Sequence, residues 1–160
     1  MSIKLIHEVR APKSSKELAN IVKAQRIAEK VLADTLAILR VGITEIEVAK
    51  FIKESFIKYK APVLSFSPIV AYGVNSANIH HTPSDTKLKL GDIIMLDFGT
   101  TWNHYCSDMT RTFFYGIPEK KKDKIRQDKL MKVYKDVLKA NEIAVVKIMR
   151  GEKNAKKIDD

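Results

Sequence analysis

The stretch from Gly91 to Thr112 constrains the fold of this chain more than any other part of the sequence. Within it, Ile93 to Gly99 is apolar and rich in β-branched residues, and Tyr105 to Tyr115 is rich in threonine and aromatic residues. Both compositions are typical of β-strands. Since only a few residues separate the two segments, they predict an antiparallel hairpin with a tight turn. A sheet built on this hairpin must therefore be part of the fold.

The turn sets the register of the predicted hairpin. Asn103 is suited to a positive-φ turn position. If Trp102 and Asn103 are the two loop residues, Asp97 lies directly opposite Asp108, and both carboxylates project from one face with Cβ atoms about 4.5–5.5 Å apart. Like charges in this arrangement destabilise a sheet. Two solutions are open: one carboxyl keeps its proton, or a cation lies between the two.

The position of Asp97 favours the cation. It follows the apolar run Ile93 to Leu96, which should be buried, and a carboxylate at the end of such a run needs a partner. The simpler alternative is that both aspartates are solvated near a turn, but full solvation does not suit Asp97 at the end of a run that should be buried. Carboxylate oxygens from adjacent strands suit a hard or borderline divalent ion. We therefore predict that Asp97 and Asp108 bind a metal, with further ligands from elsewhere.

The composition indicates a globular protein with no membrane partner. The 160 residues suffice for one domain with a core, and 45% of them are hydrophobic. No run approaches the roughly 18–20 apolar residues of a membrane span, and no signal peptide is evident. The single cysteine, Cys106, excludes an internal disulfide and is expected to pack as a small strand residue. Cysteine usage of this kind favours a cytoplasmic location.

The net charge of +10 follows from 29 basic and 19 acidic residues, and it raises the question of a nucleic-acid partner. The basic residues concentrate in Lys120 to Lys139 and Lys147 to Lys157, where they alternate with acidic residues at helical spacings. Aromatic-interleaved basic strands and zinc-finger spacings are not evident. A solvated helix face is therefore favoured over nucleic-acid binding.

Two helices are predicted in the first part of the chain. Residues 1–13 are interpreted as an extended lead-in. Ser14 and Glu17 then form a capping box that begins the first helix, which runs toward Gly42. Thr44 and Glu47 form a second capping box, and the helix that follows ends before Ala61. Apolar residues recur near the helical period, which predicts that both helices pack on one side of the sheet. The predicted stripes are Leu18, Ile21, Val22, Ala28, Val31, Leu32, Leu36 and Leu39, then Ile46, Ala49, Ile52, Phe56 and Tyr59.

Two further segments lie between these helices and the predicted hairpin. Val63 to Tyr72 is strand-like, with Pro68 indicating an edge position or a break. Gly73 to Lys89 is a long polar loop, a length that usually carries function or disorder, and it contains His80 and His81. The histidine pair is a candidate for acid–base work or anion binding.

A third helix is predicted from Pro118 to Arg150, with a break near Gln127. Gly151 ends it, and the polar residues that follow resemble the lead into another helix.

Four motifs together resemble a known family. They are Asn75 to His80, Leu90 to Asp92, Leu96 to Gly99, and Ser107 to Thr112, and their order and spacing fit together. The chain resembles the Xaa-Pro aminopeptidase and prolidase group of the creatinase/methionine aminopeptidase superfamily, which has the pita-bread fold. The resemblance runs from about Val9 to the end of the sequence.

This resemblance implies roles for three residues. Asp97 would be a bidentate ligand of one metal ion, Asp108 would bridge two, and His80 would contact substrate and stabilise the tetrahedral intermediate. The implied cofactor is a pair of divalent ions, manganese, cobalt or zinc, that activates water for hydrolysis of the N-terminal peptide bond. His81 and His104 receive no role.

The resemblance also implies an incomplete site. The family's remaining ligands, one histidine and two glutamates, lie in the second half of its fold. Residues 14–160 would thus be the N-terminal half of a pita-bread catalytic domain: α+β, with a curved antiparallel sheet and helices on one face. The expected partners are a peptide substrate and either a second copy or a separate chain that completes the fold; without them, activity is not expected. The alternative is a non-catalytic binding module for protein or nucleic acid.

Overall fold

The computed structural model describes residues 3–159, and the chain divides into two compact units, Met1–Gly116 and Ile117–Asp160. Within residues 3–116, the first unit contains three α-helices, a short 3₁₀ helix and five strands. In chain order these are α1 Ile3–Arg10, α2 Ser15–Ile38, α3 Glu45–Lys58, β1 Ile69–Tyr72, the 3₁₀ helix Gly73–Ala77, β2 Ile93–Phe98, β3 Thr101–Trp102, β4 Tyr105–Cys106 and β5 Met109–Phe114. The second unit contains α4 Lys121–Met149 and α5 Ala155–Asp159.

The main sheet is antiparallel, with the strand order β1-β2-β5. Asp97 in the central strand β2 pairs with Ile69 of β1 on one side and with Thr110 of β5 on the other. The strand β1 lies at an edge of this sheet and begins directly after Pro68, as the proline predicts. The strands β3 and β4 continue the β2–β5 hairpin as a separate two-stranded ladder.

The predicted hairpin register is wrong by two residues. The loop residues are Asn103 and His104, both with positive φ (47° and 69°), as a two-residue type I′ turn requires. Trp102 remains in the strand, where it packs against the core and lies under the ammonium group of Lys23, 5.4 Å from the ring centroid. Asp97 is therefore opposite Thr110 rather than Asp108. Because the shift is an even number of residues, Asp97 and Asp108 still share one face.

The capping boxes are confirmed. The hydroxyl of Ser14 accepts a hydrogen bond from the backbone N–H of Glu17, and the Glu17 carboxylate accepts one from the backbone N–H of Ser14 at 2.7 Å. Thr44 and Glu47 make the same reciprocal pair at the start of α3. These caps explain why both helices begin where the sequence predicts.

The predicted apolar stripes are only partly buried. Leu18, Val22 and Leu36 of α2 and Ile46 of α3 are exposed. Five of the predicted positions are buried: Ala28, Val31, Ala49, Ile52 and Phe56. Six further buried positions were not in the predicted stripes: Ala24, Ile27, Thr35, Glu45, Val48 and Ser55. Helical spacing alone thus located the helices better than it located their inner faces.

The core lies between the helices α2 and α3 and one face of the main sheet. Phe56 of α3 meets Phe98 of β2 edge to face, with ring centroids 5.9 Å apart. Ile94, Leu96 and Phe98 belong to the same buried cluster as the helix residues. Since side chains alternate along a strand, Asp97 projects from the opposite face, away from the helices. The predicted α+β fold with helices on one face is confirmed, and the candidate site lies on the other face.

Several terminal and loop predictions need correction. Ile3–Arg10 is helical, not extended. The long helix α4 begins at Lys121 rather than Pro118 and continues through Gln127 without a break. Part of the predicted loop, Gly73–Ala77, forms a 3₁₀ helix. Cys106 is exposed in β4 rather than packed. No helix within residues 3–159 is long and apolar enough to cross a lipid bilayer.

Candidate metal centre and active site

A cavity of about 640 Å³ brings the three predicted site residues together. Asp97 and Asp108 contribute from the sheet face opposite the helices, and His80 contributes from the loop after the 3₁₀ helix. His81, to which the family resemblance assigned no role, also lies in its wall. His104 is in the hairpin turn and does not line this cavity.

The sheet register explains why the two carboxylates converge. Asp108 immediately precedes β5, two residues before the Thr110 that pairs with Asp97. Diagonal neighbours of this kind on an antiparallel pair are about 7–8 Å apart at the backbone, within reach of side chains that lean toward each other. Asp108 is exposed, whereas Asp97 is half-buried. The Asp108 carboxylate is therefore open to solvent, whereas the Asp97 carboxylate lies partly inside the protein.

Asp97 has an unsatisfied acceptor. Its Oδ1 is buried and has no hydrogen-bond partner among the residues that the structure describes. Burial raises the pKa of Asp97, a hydrogen bond from the Thr110 side chain lowers it, and the negative charge of Asp108 raises it, with a net upward shift. A buried carboxylate oxygen without a donor is costly, and a cation is a group that relieves that cost.

This electrostatic cost leads to a stability prediction. Because the pKa of Asp97 is higher in the folded chain than in the unfolded one, the charged carboxylate destabilises the metal-free fold at neutral pH. We expect Asp97→Asn to raise the free energy of unfolding by about 1 kcal/mol at neutral pH. The gain should vanish as the pH falls below about 4, where the unfolded chain also binds the proton. Urea unfolding at several pH values measures this.

Asp85→Asn is the matched control for that prediction, because it removes an exposed carboxylate that does not line the cavity. Its free energy of unfolding should match that of the wild type at every pH. A pH-independent loss of stability in Asp97→Asn would show that the carboxylate is satisfied in the folded chain, contrary to its environment in the structure.

The loop that carries His80 is held by a residue that the sequence did not identify. Glu45, the first residue of α3, is fully buried, and its Oε2 lies 2.8 Å from Nε2 of His81. Ser84 donates to the same oxygen from both its backbone N–H and its hydroxyl. An acidic residue in the first helical turn is ordinary, because it complements the helix dipole. Its sequence position therefore gave no signal of this contact.

The donor set fits a divalent ion only in part. The orphaned Oδ1 of Asp97 and the Asp108 carboxylate in the same cavity suit a hard or borderline cation. Within residues 3–159, however, no cluster of three or more histidine, cysteine, aspartate or glutamate side chains could hold a metal ion. These residues thus fit as part of a metal shell and need ligands beyond the two carboxylates.

Comparison with known proteins assigns the chain to a family. Residues 19–160 match the model of metallopeptidase family M24. The chain belongs to this family. A candidate Xaa-Pro aminopeptidase of Mycoplasma pneumoniae is 41% identical over 134 residues, which is 84% of this chain and 36% of that protein.

Two solved structures of Xaa-Pro peptidases show the same fold over most of this chain. The X-Pro aminopeptidase from Thermotoga maritima is 33% identical, with a TM-score of 0.78 over 88% of this chain. The Xaa-Pro dipeptidase from Bacillus anthracis is 34% identical, with a TM-score of 0.80 over 90% of this chain. This M24 chain spans 38% of each of those two proteins. The predicted resemblance to Xaa-Pro peptidases is therefore confirmed, over a part of their length.

Proposed function

We propose that the cavity around Asp97 and Asp108 is part of a metal-dependent site that hydrolyses peptides of the Xaa-Pro type. The observation that carries the proposal is the buried Oδ1 of Asp97, which has no hydrogen-bond partner within residues 3–159 and shares a cavity with a second carboxylate and two imidazoles. A divalent cation is a partner that suits such an oxygen. The names of the Thermotoga and Bacillus relatives supply the reaction class.

In this proposal Asp97 and Asp108 hold the cofactor, a pair of divalent ions such as manganese, cobalt or zinc. Such ions supply a polarised carbonyl and an activated water for hydrolysis. Asp97 would bind through its buried Oδ1, and Asp108 would bind through carboxylate oxygens on an exposed residue. The upward shift in the pKa of Asp97 makes the bare carboxylate unfavourable, so ion binding is coupled to relief of that cost.

His80 and the apolar wall act on the substrate. His80 is exposed and lines the cavity together with the carboxylates. In the proposed reaction its imidazole donates a hydrogen bond to an oxygen that becomes negatively charged during hydrolysis. Phe66 and Ile69 supply apolar surface on the same cavity. Such surface suits the hydrophobic parts of an N-terminal Xaa-Pro segment and excludes water from the reacting bond.

Two carboxylates do not complete a dinuclear shell, and we propose that the remaining ligands lie outside residues 3–159, within which no cluster of three or more potential metal ligands occurs. The 160-residue chain by itself is then expected to show no turnover of an Xaa-Pro dipeptide or tripeptide with manganese or cobalt. Loss of residues that bind the metal directly lowers activity by more than the roughly 10–100-fold typical of losing a residue that supports a ligand. The assay compares the chain with the Thermotoga X-Pro aminopeptidase under the same conditions.

Asp108→Ala is the variant that interprets this assay. Turnover by the chain that disappears in Asp108→Ala would contradict the expectation of a partial site and would show that the chain supplies a sufficient ligand set. Turnover that persists in Asp108→Ala, with the same activity per mole of chain after repeated purification, would not depend on Asp108 and would contradict its assignment.

A further inference from the structure

Glu45 combines complete burial with five hydrogen bonds. Its Oε1 accepts from the backbone N–H of Tyr72 at 2.8 Å and from the Asn75 amide at 2.9 Å. Its Oε2 lies 2.8 Å from Nε2 of His81 and accepts two hydrogen bonds from Ser84. Burial raises the pKa of Glu45, but these donors together lower it below its ordinary value. The carboxylate is therefore charged and fully satisfied at neutral pH.

The five donors belong to the two ends of one segment, Tyr72 to Ser84. Tyr72 ends β1, and Asn75 lies in the 3₁₀ helix, so Oε1 holds the start of the segment. His81 and Ser84 lie near its other end and are held by Oε2. One carboxylate thus closes a loop of about a dozen residues, and the direct neighbour of His81 in that loop is His80. Ordering a loop costs entropy, which charge-assisted hydrogen bonds at both ends can offset.

The closed loop forms one wall of the cavity, and the sheet forms the other. His80 and His81 lie in the loop wall, while Asp97 and Asp108 lie in the sheet wall. Glu45 is at the N-terminus of α3, which packs against the other face of the sheet through Ile52 and Phe56. The buried Glu45 carboxylate therefore connects the helix layer to the loop wall that carries His80 and His81, in addition to the backbone hydrogen bond from Ile46 to Ser84. Helix capping does not explain this carboxylate, because Glu47 already completes the capping box.

We propose that Glu45 is a positioning residue that acts through His81 to fix His80 relative to Asp97 and Asp108. This inference rests on the proposed function, because it concerns the geometry of the same site. Glu45 itself does not line the cavity, so it would not touch the substrate. Its effect is transmitted by the hydrogen bond to the imidazole of His81 and by the fixed ends of the loop.

Glu45→Gln tests the proposal with minimal change in shape. A carboxamide has one oxygen, so it can accept from only one end of the segment, and its NH₂ group faces donors at the other end. Amide hydrogen exchange in the metal-free 160-residue chain is the measurement. We expect exchange at His80 and His81 to accelerate about tenfold relative to Leu96 in β2, which reports on overall unfolding.

Glu47→Gln is the matched control. It removes a carboxylate from the same helical turn and weakens the capping box, but Glu47 does not hold the loop. It should change exchange at His80, His81 and Leu96 in parallel. Parallel changes in Glu45→Gln as well would show a purely structural role and would overturn the proposal. If Glu45→Gln fails to fold, Ser84→Ala, which removes one donor to Oε2, should accelerate His80 and His81 by about threefold relative to Leu96.

A second readout separates this inference from the proposed function. Added Mn²⁺ should broaden the ring resonances of His80 in the wild-type chain, and the broadening should weaken in Glu45→Gln as His80 samples more distant positions. Unchanged broadening would overturn the positioning role. No broadening in the wild type would contradict the metal site instead, and the exchange measurement would still decide the role of Glu45 in the metal-free chain.

Discussion

Gly99→Ala should destabilise the chain by about 3 kcal/mol or more, at the upper end of the usual range for overpacking. A Cβ atom at this position would lie 1.9 Å from the backbone oxygen of Ser107 and 2.7 Å from its carbonyl carbon. Both contacts are with backbone atoms, which cannot rotate away as a side chain does. Gly99 is therefore required because the two strands of the hairpin approach closely at this point.

The close approach at Gly99 is part of a network that joins the two β-ladders. The Ser65 hydroxyl donates to the backbone oxygen of Ser107 at 2.8 Å, and the backbone N–H of Ser65 donates to the oxygen of Gly99. The Ser107 hydroxyl accepts from the backbone N–H of Thr100. Because Asp97 and Asp108 flank this network on the two strands, a displacement of Ser107 should also separate the carboxylates.

Urea unfolding measures the stability loss, and Gly42→Ala is the control. Gly42 has a positive φ of 89°, but a Cβ atom added there would meet no atom of the described residues within 4 Å. Its substitution should cost about 1–2 kcal/mol from backbone strain alone. A Gly99→Ala variant that is as stable as the wild type would contradict the packing of this hairpin. A variant that loses stability but binds Mn²⁺ normally would contradict the link between the hairpin and the site.

The sequence predicted the face of the two aspartates better than their register. Side-chain alternation depends only on whether a shift is odd or even, so an error of two residues left Asp97 and Asp108 on one face. The turn position depended on where Trp102 would lie. Its packing against the core is a tertiary effect, visible only once α2 is in place. The helix starts were predictable because capping boxes are local.

The position of the loop that carries His80 and His81 was only partly predictable. His80 and His81 were candidates because they lie in a long loop, but the loop gave no indication of which residue held it in place. Glu45 and His81 are 36 positions apart, so no local pattern connects them. A glutamate in the first turn of a helix is usually solvated, and burial of Glu45 becomes apparent only when the loop packs over α3.

The second large effect concerns metal binding. The wild-type chain should bind Mn²⁺ weakly, with a dissociation constant on the order of 10⁻⁴–10⁻³ M, similar to the weakest carboxylate sites of proteins. Asp97→Asn and Asp108→Asn should each abolish detectable binding, because a shell that begins with two protein carboxylates keeps only one. Asp85→Asn should bind as the wild type does, since its carboxylate lies outside the cavity.

Electron paramagnetic resonance of Mn²⁺ titrated with the chain measures this binding, because the signal of free Mn²⁺ falls as the ion binds. We expect a saturable loss of the free signal in the wild type and in Asp85→Asn, and no loss in Asp97→Asn or Asp108→Asn. A wild-type chain that leaves the free signal unchanged at millimolar concentration would contradict the proposed metal site. Equal binding by all four proteins would contradict it as well, because the ion would then be held outside the cavity that Asp97 and Asp108 share.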